Sequence, residues 1–204
     1  MQKELMYDGV FDAQEHYRLL LDCMARPGEV RVLQARGMNP PAGIHAAAAL
    51  VGFALLNADV SFHAAGPLGE AVAGYLRENT DGLISEAGEA DFIFMEGARA
   101  ADAPLAALVA AAKVGTLPYP EGGATIVLSV DRLGTESGEL ALTLTGPGVA
   151  LENKLYISGL HTDILGAVER QNLEFPLGID LILADQEGRI AAIPRSSRVR
   201  WSRN

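Results

Sequence analysis

The residues best suited to chemistry lie near the end of the chain, where Asp180 and Arg195 flank a predicted β-hairpin. Asp180 stands in the apolar run 178–183, and an unpaired charge is costly to bury there. With a turn at residues 185–188, Asp180 opposes Ile193 and lies diagonally from Arg195, within reach of a long side chain. The spacing therefore predicts an Asp180–Arg195 ion pair.

This pair has two interpretations. It is either purely structural, or it belongs to a polar site where Arg195, Ser196 and Ser197 meet an anionic ligand or partner. Guanidinium groups favour the second role because their paired donors match carboxylates and phosphates. Asp180, Arg195, Ser196 and Ser197 are therefore the candidate binding residues, and no residue is assigned a catalytic role.

Motifs for phosphate binding and for hydrolysis are absent from the sequence. No stretch matches G-x-x-x-x-G-K-[ST], whose backbone amides and lysine cradle phosphate oxygens. No G-x-S-x-G elbow supports a nucleophilic serine. The glycine clusters 145–148 and 120–123 adjoin predicted strands, and each predicts a tight turn.

Metal and thiol chemistry have little support. The four histidines lack the close spacing of a metal motif, although a site assembled from distant ones stays open: His16, His45, His63 and His161. We expect His45 to lie in an apolar helix as a core residue. Cys23 is the only cysteine, so it forms no internal disulfide, and its place on a helix predicts a buried, inert thiol.

The lysines bear on one cofactor. Pyridoxal phosphate requires a lysine for its Schiff base, and the chain offers only Lys3, Lys113 and Lys154. None of them has a recognisable setting. We therefore expect no cofactor.

Hydrophobic periodicity predicts the elements that must position these residues. The predicted helices are 12–25, 40–56, 68–78, 103–113 and 162–172. The predicted strands are 29–35, 60–64, 91–95, 125–130, 139–145, 179–184 and 189–193.

Specific residues mark where two of these helices begin. Asp12 and Glu15 have the spacing of a capping box, with Phe11 as a hydrophobic staple. Thr162 is the expected cap of the last helix. One apolar face of the first helix is predicted from Ala13, Tyr17, Leu20, Leu21 and Met24.

Strands that alternate with helices predict an α/β fold. The terminal hairpin, and a pairing of strands 125–130 and 139–145 around Gly134, add antiparallel strands, so we expect a mixed sheet flanked by helices. No linker or fixed-period repeat divides the sequence. One domain is therefore predicted over residues 1–204.

Composition bounds the class of protein. The chain has 204 residues, 49% hydrophobic, with 16 basic and 26 acidic residues and a net charge of −10. An acidic chain has no global field that attracts nucleic acid or an anionic membrane surface. Its longest apolar run, residues 46–56, is shorter than the span of about 18 that a membrane helix needs. Without a signal-peptide pattern at its start, we expect a cytoplasmic protein.

Positive charge is concentrated at the end of the chain. All acidic residues lie at or before Glu187, whereas five arginines follow it: Arg189, Arg195, Arg198, Arg200 and Arg203. These arginines either neutralise the protein's own acidic surface or bind a nucleic acid, a phosphorylated ligand or an acidic partner.

Six segments together resemble one known family. They are 17–20 (YRLL), 24–28 (MARPG), 121–125 (EGGAT), 144–148 (LTGPG), 175–181 (FPLGIDL) and 192–195 (AIPR). In this order they resemble the PhnH family, the H subunit of the bacterial carbon–phosphorus lyase system. The resemblance covers nearly the whole chain, and its last two segments are the most specific. Family members usually continue with two threonines, where this chain has Ser196 and Ser197.

The resemblance implies a fold similar to pyridoxal-phosphate-dependent transferases without the cofactor site. It also implies a complex with the G, I and J subunits. That complex joins methylphosphonate to ribose triphosphate and displaces adenine from ATP; its J subunit, an iron–sulfur radical enzyme, later cleaves the carbon–phosphorus bond. The family offers no agreed catalytic residue for the H subunit.

Two hypotheses follow for function. The first is an accessory or assembly subunit of that complex, which forms a homodimer when alone and binds neither nucleic acid nor membrane. The second is a free-standing enzyme or binding protein that holds a phosphorylated sugar or nucleotide through its C-terminal arginines.

Overall fold

The computed structural model describes residues 7–34, 37–97 and 103–204. They form five helices: α1 Phe11–Ala25, α2 Ala46–Leu55, α3 Gly69–Thr80, α4 Ala103–Ala111 and α5 Thr162–Gln171. They also form thirteen strands: β1 Arg31–Val32, β2 Ser61–Ala64, β3 Leu83–Ile84, β4 Phe92–Glu96, β5 Val114–Thr116, β6 Tyr119–Gly123, β7 Thr125–Ser129, β8 Arg132–Gly134, β9 Leu140–Thr145, β10 Asn153–Ser158, β11 Asp180–Ala184, β12 Arg189–Ile193 and β13 Arg198–Arg203. Within these ranges, every helix is too short or too polar to cross a bilayer.

A seven-stranded mixed sheet lies at the centre, in the order β1-β12-β11-β7-β4-β2-β3. The strands from β11 to β3 pair in parallel, whereas β12 pairs antiparallel with both β11 and β1. The prediction of an α/β fold with a mixed sheet is therefore confirmed.

Two hydrophobic cores cover the two faces of this sheet. Alternate side chains point to opposite faces, so Ile126 enters one core and Val127 the other. The first core contains residues of α4, α5 and the four-stranded sheet β13-β9-β10-β8, and the second contains residues of α1, α2 and α3. Central strands buried on both faces explain the long apolar runs in the sequence.

Two predicted helix starts are wrong. Helix α2 begins at Ala46, because Gly43 takes a left-handed φ of +99° that ends any helix from Pro40. Helix α5 is capped by His161, whose Nδ1 accepts a hydrogen bond from the Asp163 amide, so Thr162 is already helical.

The start of α1 uses a different capping arrangement from the predicted one. The Asp8 carboxylate accepts hydrogen bonds from the amides of Val10 and Phe11, and the Asp12 carboxylate accepts one from the Asp8 amide. Asp8 and Asp12 therefore form the reciprocal pair of side-chain-to-backbone bonds at this helix start. The predicted capping box of Asp12 with Glu15 is wrong. Phe11, expected as a staple, is largely exposed.

The buried face of α1 also differs from the prediction. His16, Leu20 and Cys23 are buried, whereas Tyr17 and Leu21 are about half exposed. The apolar pattern misplaced the face because a buried histidine and cysteine carry part of it.

Several strand predictions need correction. Strand 29–35 shortens to β1, and its last predicted residue, Ala35, lies outside the described residues. Residues 120–123 belong to β6, which pairs with β5 as a hairpin, so they are not a simple turn. The predicted pairing of 125–130 with 139–145 does not form, because β7 joins the central sheet and β9 the four-stranded one.

The terminal hairpin forms with a register one residue away from the predicted one. Leu181, not Asp180, opposes Ile193. The Asp185 amide donates to the Arg189 carbonyl, and Gly188 takes a φ of +87°, as in a three-residue hairpin loop. The extra loop residue produces the shift.

Candidate functional site

The predicted Asp180–Arg195 ion pair is confirmed. Arg195 Nη2 lies 2.5 Å from Asp180 Oδ2, and Nε lies 3.2 Å from each carboxylate oxygen. The Arg195 backbone amide also donates to Asp180 Oδ1 at 2.8 Å. Their side chains are only 13% and 15% exposed, so the pair is largely shielded from water. The contact forms despite the register shift because Arg195 lies beyond the end of β12, where the alternation of strand faces no longer fixes the direction of its side chain.

Arg195 also fastens the β5–β6 hairpin to the central sheet. Its Nη1 donates to the Pro120 carbonyl at 2.7 Å and its Nη2 to the Gly123 carbonyl at 3.3 Å. A Cβ on Gly123 would meet both the Gly178 carbonyl and the guanidinium, so this close approach requires glycine. We call Asp180, Arg195, Pro120 and Gly123 the arginine clamp. Most donors of Arg195 are thus already used within the protein.

The two serines after the clamp are placed differently. Ser197 donates its amide to the Pro194 carbonyl at 2.8 Å, and its buried Oγ has no hydrogen-bond partner among the described residues. Ser196 is half-buried beside the Gly146 turn. The structure therefore brings Asp180 and Arg195 together, whereas Ser197 faces a separate groove and Ser196 contacts neither group of the pair by any recorded hydrogen bond. Their binding role stays a prediction.

The groove that Ser197 lines runs between α5 and β13 and has a volume of about 310 Å³. We call it the Trp201 groove. Its walls are mainly apolar and are formed by Leu165, Val168, Leu173, Leu181, Ile193, Val199 and Trp201, with Glu169, Asn172, Ser197 and Arg198 as polar lining residues. A mainly apolar wall with a few polar groups is typical of a binding site.

Large apolar side chains stand exposed around the arginine clamp. Leu117 and Tyr119 lie on the β5–β6 hairpin, and Leu173 and Phe175 follow α5. The two segments are neighbours, because Pro120 and Pro176 line one open depression with Asp180 and Arg195. We call these four exposed residues the apolar rim. Exposed apolar side chains on neighbouring segments are a feature of contact surfaces.

A second cavity, of about 470 Å³, lies at the carboxyl ends of β2 and β4. It is lined by the turn before α3, by Glu96 and Gly97, and by Pro104, Leu105 and Leu108 of α4. Open α/β sheets commonly bind ligands at this edge, where the connections from neighbouring strands diverge.

The histidines occupy four separate places. His45 precedes α2 instead of lying within it, His161 caps α5, and His63 Nδ1 lies 3.0 Å from the Ser85 carbonyl oxygen. His16 is buried and stacks on Tyr7, and burial lowers its pKa despite the nearby acids Asp12 and Glu15. Among the described residues, no three metal-ligating side chains come together.

Neither described lysine is set up for a Schiff base. The Lys113 amine is hydrogen-bonded to Asp91. Burial raises the pKa of Asp91, but hydrogen bonds from Lys113 and Ser61 outweigh it, so the pKa lies below the ordinary value. Lys154 is exposed on the four-stranded sheet, and Lys3 lies outside the described residues.

One buried carboxylate, Asp185, was not predicted from the sequence. Asp185 is fully buried, and its oxygens accept hydrogen bonds from the amides of Leu133, Glu187 and Arg189 and from Arg189 Nε. These bonds raise the pKa of Arg189 and join the β11–β12 turn to β8 of the second sheet. The turn at Asp185 was predictable from the sequence. The contact of Asp185 with Leu133 was not, because the two residues are far apart along the chain.

The outer face of the four-stranded sheet carries exposed cations. Arg200 of β13 aligns with Thr143 of β9, which aligns with Lys154 of β10. Arg198 lies two residues along β13, and neither arginine has an ion-pair partner in the described part of the chain. No strand was predicted beyond residue 193, although the alternation of Val199 and Trp201 with these arginines is a strand signal.

The structure is that of an α/β protein with a mixed sheet. At its predicted site, most hydrogen-bond donors of Arg195 are used within the arginine clamp, which lies beside the apolar rim and the Trp201 groove. The family comparison is more specific. A family model described as bacterial phosphonate metabolism protein (PhnH) matches residues 6–200. The chain therefore belongs to the PhnH family.

Two curated relatives agree with this assignment. The chain is 31% identical over 197 residues to the alpha-D-ribose 1-methylphosphonate 5-triphosphate synthase subunit PhnH of Rhizobium meliloti (strain 1021), covering 94% of this chain and 92% of that protein. It is also 36% identical over 110 residues to the putative C-P lyase subunit protein HtxG of Stutzerimonas stutzeri. That second match spans 54% of this chain and about half (51%) of the relative.

Proposed function

We propose that this chain is an assembly subunit of a carbon–phosphorus lyase complex. In this role it binds G, I and J subunits, and the complex performs the transferase step that joins methylphosphonate to ribose triphosphate. The family match and the relatives' names support the complex. We further propose that the chain acts as a single domain over residues 1–204, in the cytoplasm, and supplies contact surface without a catalytic centre of its own.

The apolar rim is the observation that carries this proposal. Leu117, Tyr119, Leu173 and Phe175 are largely exposed on adjacent segments. Such a surface gains free energy when a partner covers it, because apolar area leaves water. The arginine clamp holds the hairpin half of this surface in place, which gives the buried ion pair an assembly role.

We infer that the same rim is covered by a second copy when the chain is alone. A homodimer would bury Leu117 and Phe175 of both copies. Light scattering on the purified chain tests this, and a monomer at micromolar concentration would contradict it. The matched variants are Tyr119→Ser on the rim and Tyr17→Ser on α1, because both side chains are exposed and only the first lies on the rim.

The decisive experiment mixes the purified chain with G, I and J subunits and measures the mass of the species that co-elute. We expect one assembly that contains all four subunits. Tyr119→Ser should weaken it, whereas Tyr17→Ser should not. A chain that elutes alone under all conditions would overturn the proposal.

We also propose a fold similar to pyridoxal-phosphate-dependent transferases without the cofactor. The absence of the cofactor can be tested directly. The hydrogen bond between the Lys113 amine and Asp91 supports this, because it occupies an amine that would otherwise be a candidate for the Schiff base. Titration with pyridoxal phosphate should produce no Schiff-base absorption band. A stoichiometric band would contradict this.

A second candidate function is the binding of a phosphorylated sugar or nucleotide. The row Arg200–Thr143–Lys154 favours it, since adjacent strands about 5 Å apart place the two cations close to one hydroxyl. Calorimetry with ATP and with ribose 5-phosphate tests this on the isolated chain. Heat of binding that disappears in Arg200→Ala would support this second function. No heat of binding with the wild-type chain would rule it out.

A further inference from the structure

Strand β13 has an open edge. It pairs with β9 on one side, and no described strand pairs with its other side. The Asn204 amide donates to the Glu139 carbonyl, which fixes the alternation of the ladder. By that alternation, Arg198, Arg200 and Ser202 direct their backbone groups toward β9. The backbone groups of residues 199, 201 and 203 therefore point to the open side, where another strand can bind them.

The Trp201 groove lies beside this edge. Val199 and Trp201 form its wall on β13, and Leu165 and Val168 form its wall on α5, with Leu173 just after that helix. An added strand would direct alternate side chains to the same face as Val199 and Trp201. Those side chains would enter the groove, which provides room for apolar groups and has Ser197 among its polar lining residues.

The opposite face of the same edge is positive. Arg200 and Arg198, the second of which also borders the groove, are exposed there without ion-pair partners among the described residues. The remaining side chains of an added strand would lie beside them. Acidic residues at these positions would pair favourably across the two strands.

We propose that the open edge of β13 binds an extended segment of a partner protein in which apolar and acidic residues alternate. The segment adds a fifth strand to the four-stranded sheet, with its apolar side chains in the Trp201 groove and its acidic ones over Arg198 and Arg200. This inference rests on the proposed function and identifies a contact surface for that assembly, distinct from the hairpin half of the apolar rim.

Charge distinguishes this partner from other occupants. A second copy paired edge to edge would place its arginines beside those of the first copy, which is unfavourable. A nucleic acid would meet a chain with a net charge of −10. An acidic segment bound at short range satisfies the local arginines without requiring a global positive field.

Charge reversal tests the proposal in titrations with G, I and J subunits. Arg198→Glu and Arg200→Glu should each weaken association roughly tenfold or more. The matched control is Arg132→Glu, the same change at an exposed arginine on β8, the strand farthest from the edge. Equal effects of the edge and control variants would overturn the proposal.

A backbone test separates strand addition from simple charge attraction. Val199→Pro removes an amide that points to the open side, so the β9 ladder is retained, whereas Val199→Thr keeps that amide and the branched shape. We expect Val199→Pro to abolish association and Val199→Thr to retain most of it, with both variants folded by circular dichroism.

Hydrogen exchange on the wild-type assembly needs no variant. The amides of residues 199, 201 and 203 should become protected on association, while those of 198, 200 and 202 are already protected in the free chain. An assembly that forms with no new protection at 199, 201 and 203 would overturn the edge surface and leave the proposed function intact. No assembly at all, or protection produced only by a small anion such as ATP, would overturn both.

Discussion

The Asp180 carboxylate binds Arg195 twice over, through the guanidinium and through the arginine's own backbone amide. The backbone bond fixes where the chain leaves β12, and the guanidinium then reaches the β5–β6 hairpin. One ion pair thus determines the relative position of three segments that are far apart in sequence.

Removing Arg195 should be costly because it leaves a largely buried carboxylate unpaired. We expect Arg195→Ala to lower the free energy of unfolding by about 3 kcal/mol, measured by urea denaturation. Arg198→Ala, at an exposed arginine three residues later, should change it by less than about 0.5 kcal/mol. Similar losses for both variants would show that the clamp contributes little.

The hairpin contact depends on a glycine. In Gly123→Ala, the added methyl group meets the Gly178 carbonyl and the Arg195 guanidinium, so we expect a loss of about 1 to 3 kcal/mol. Gly122→Ala changes the adjacent residue, where the nearest atom is the Tyr119 carbonyl oxygen at 3.3 Å, and should lose clearly less. The two variants are compared by thermal unfolding, and a larger loss at Gly122 would refute this account.

The buried Asp185 carboxylate should be indispensable to the connection between the sheets. Asp185→Ala leaves three amides and the Arg189 guanidinium without their acceptor, and we expect a loss of about 3 kcal/mol or more. Glu187→Ala removes the exposed acid that pairs with the same arginine and should cost less than about 1 kcal/mol. Chemical denaturation measures both, and a mild Asp185→Ala variant would argue against the connection.

Stability should fall on mild acidification because of His16. Burial lowers the pKa of His16 in the folded chain below the ordinary value near 6.5. As pH falls through that value, the unfolded chain takes up a proton that folded His16 resists, so folding loses free energy. We expect the melting temperature to drop between about pH 7.5 and pH 5.5, and His16→Phe to reduce the drop. An unchanged pH slope in His16→Phe would exclude His16 as its source.

Cys23 should be unreactive until the chain unfolds. Burial raises the pKa of the Cys23 thiol to about 12, which leaves roughly a thousandfold fewer thiolates at about pH 8 than an ordinary cysteine has. An aromatic disulfide reagent should therefore label the folded protein slowly and the denatured protein at once. Rapid labelling without denaturant would mean that α1 opens readily.

The sequence predicted those features that depend on local patterns. Alternating apolar runs gave the central strands, and the cost of a lone buried charge gave the Asp180–Arg195 pair. It missed Asp185, whose partner Leu133 lies in another sheet, because such pairing leaves no local trace. It did not predict β13, because Arg198 and Arg200 obscured the alternation of Val199 and Trp201. Helix starts failed where Asp8 and His161 offered caps outside the usual pattern.

The position of β12 in the central sheet has a consequence for synthesis. This strand comes late in the chain, yet β1 pairs with it, the Gly28 amide bonds to the Ala192 carbonyl, and Cys23 lies against Ile190. On the ribosome, α1 and β1 emerge well before β12 and must wait, with their apolar faces uncovered, until β12 has left the exit tunnel. Folding of this protein is therefore completed only after most of the chain has been translated, and the nascent chain is a natural client for chaperones.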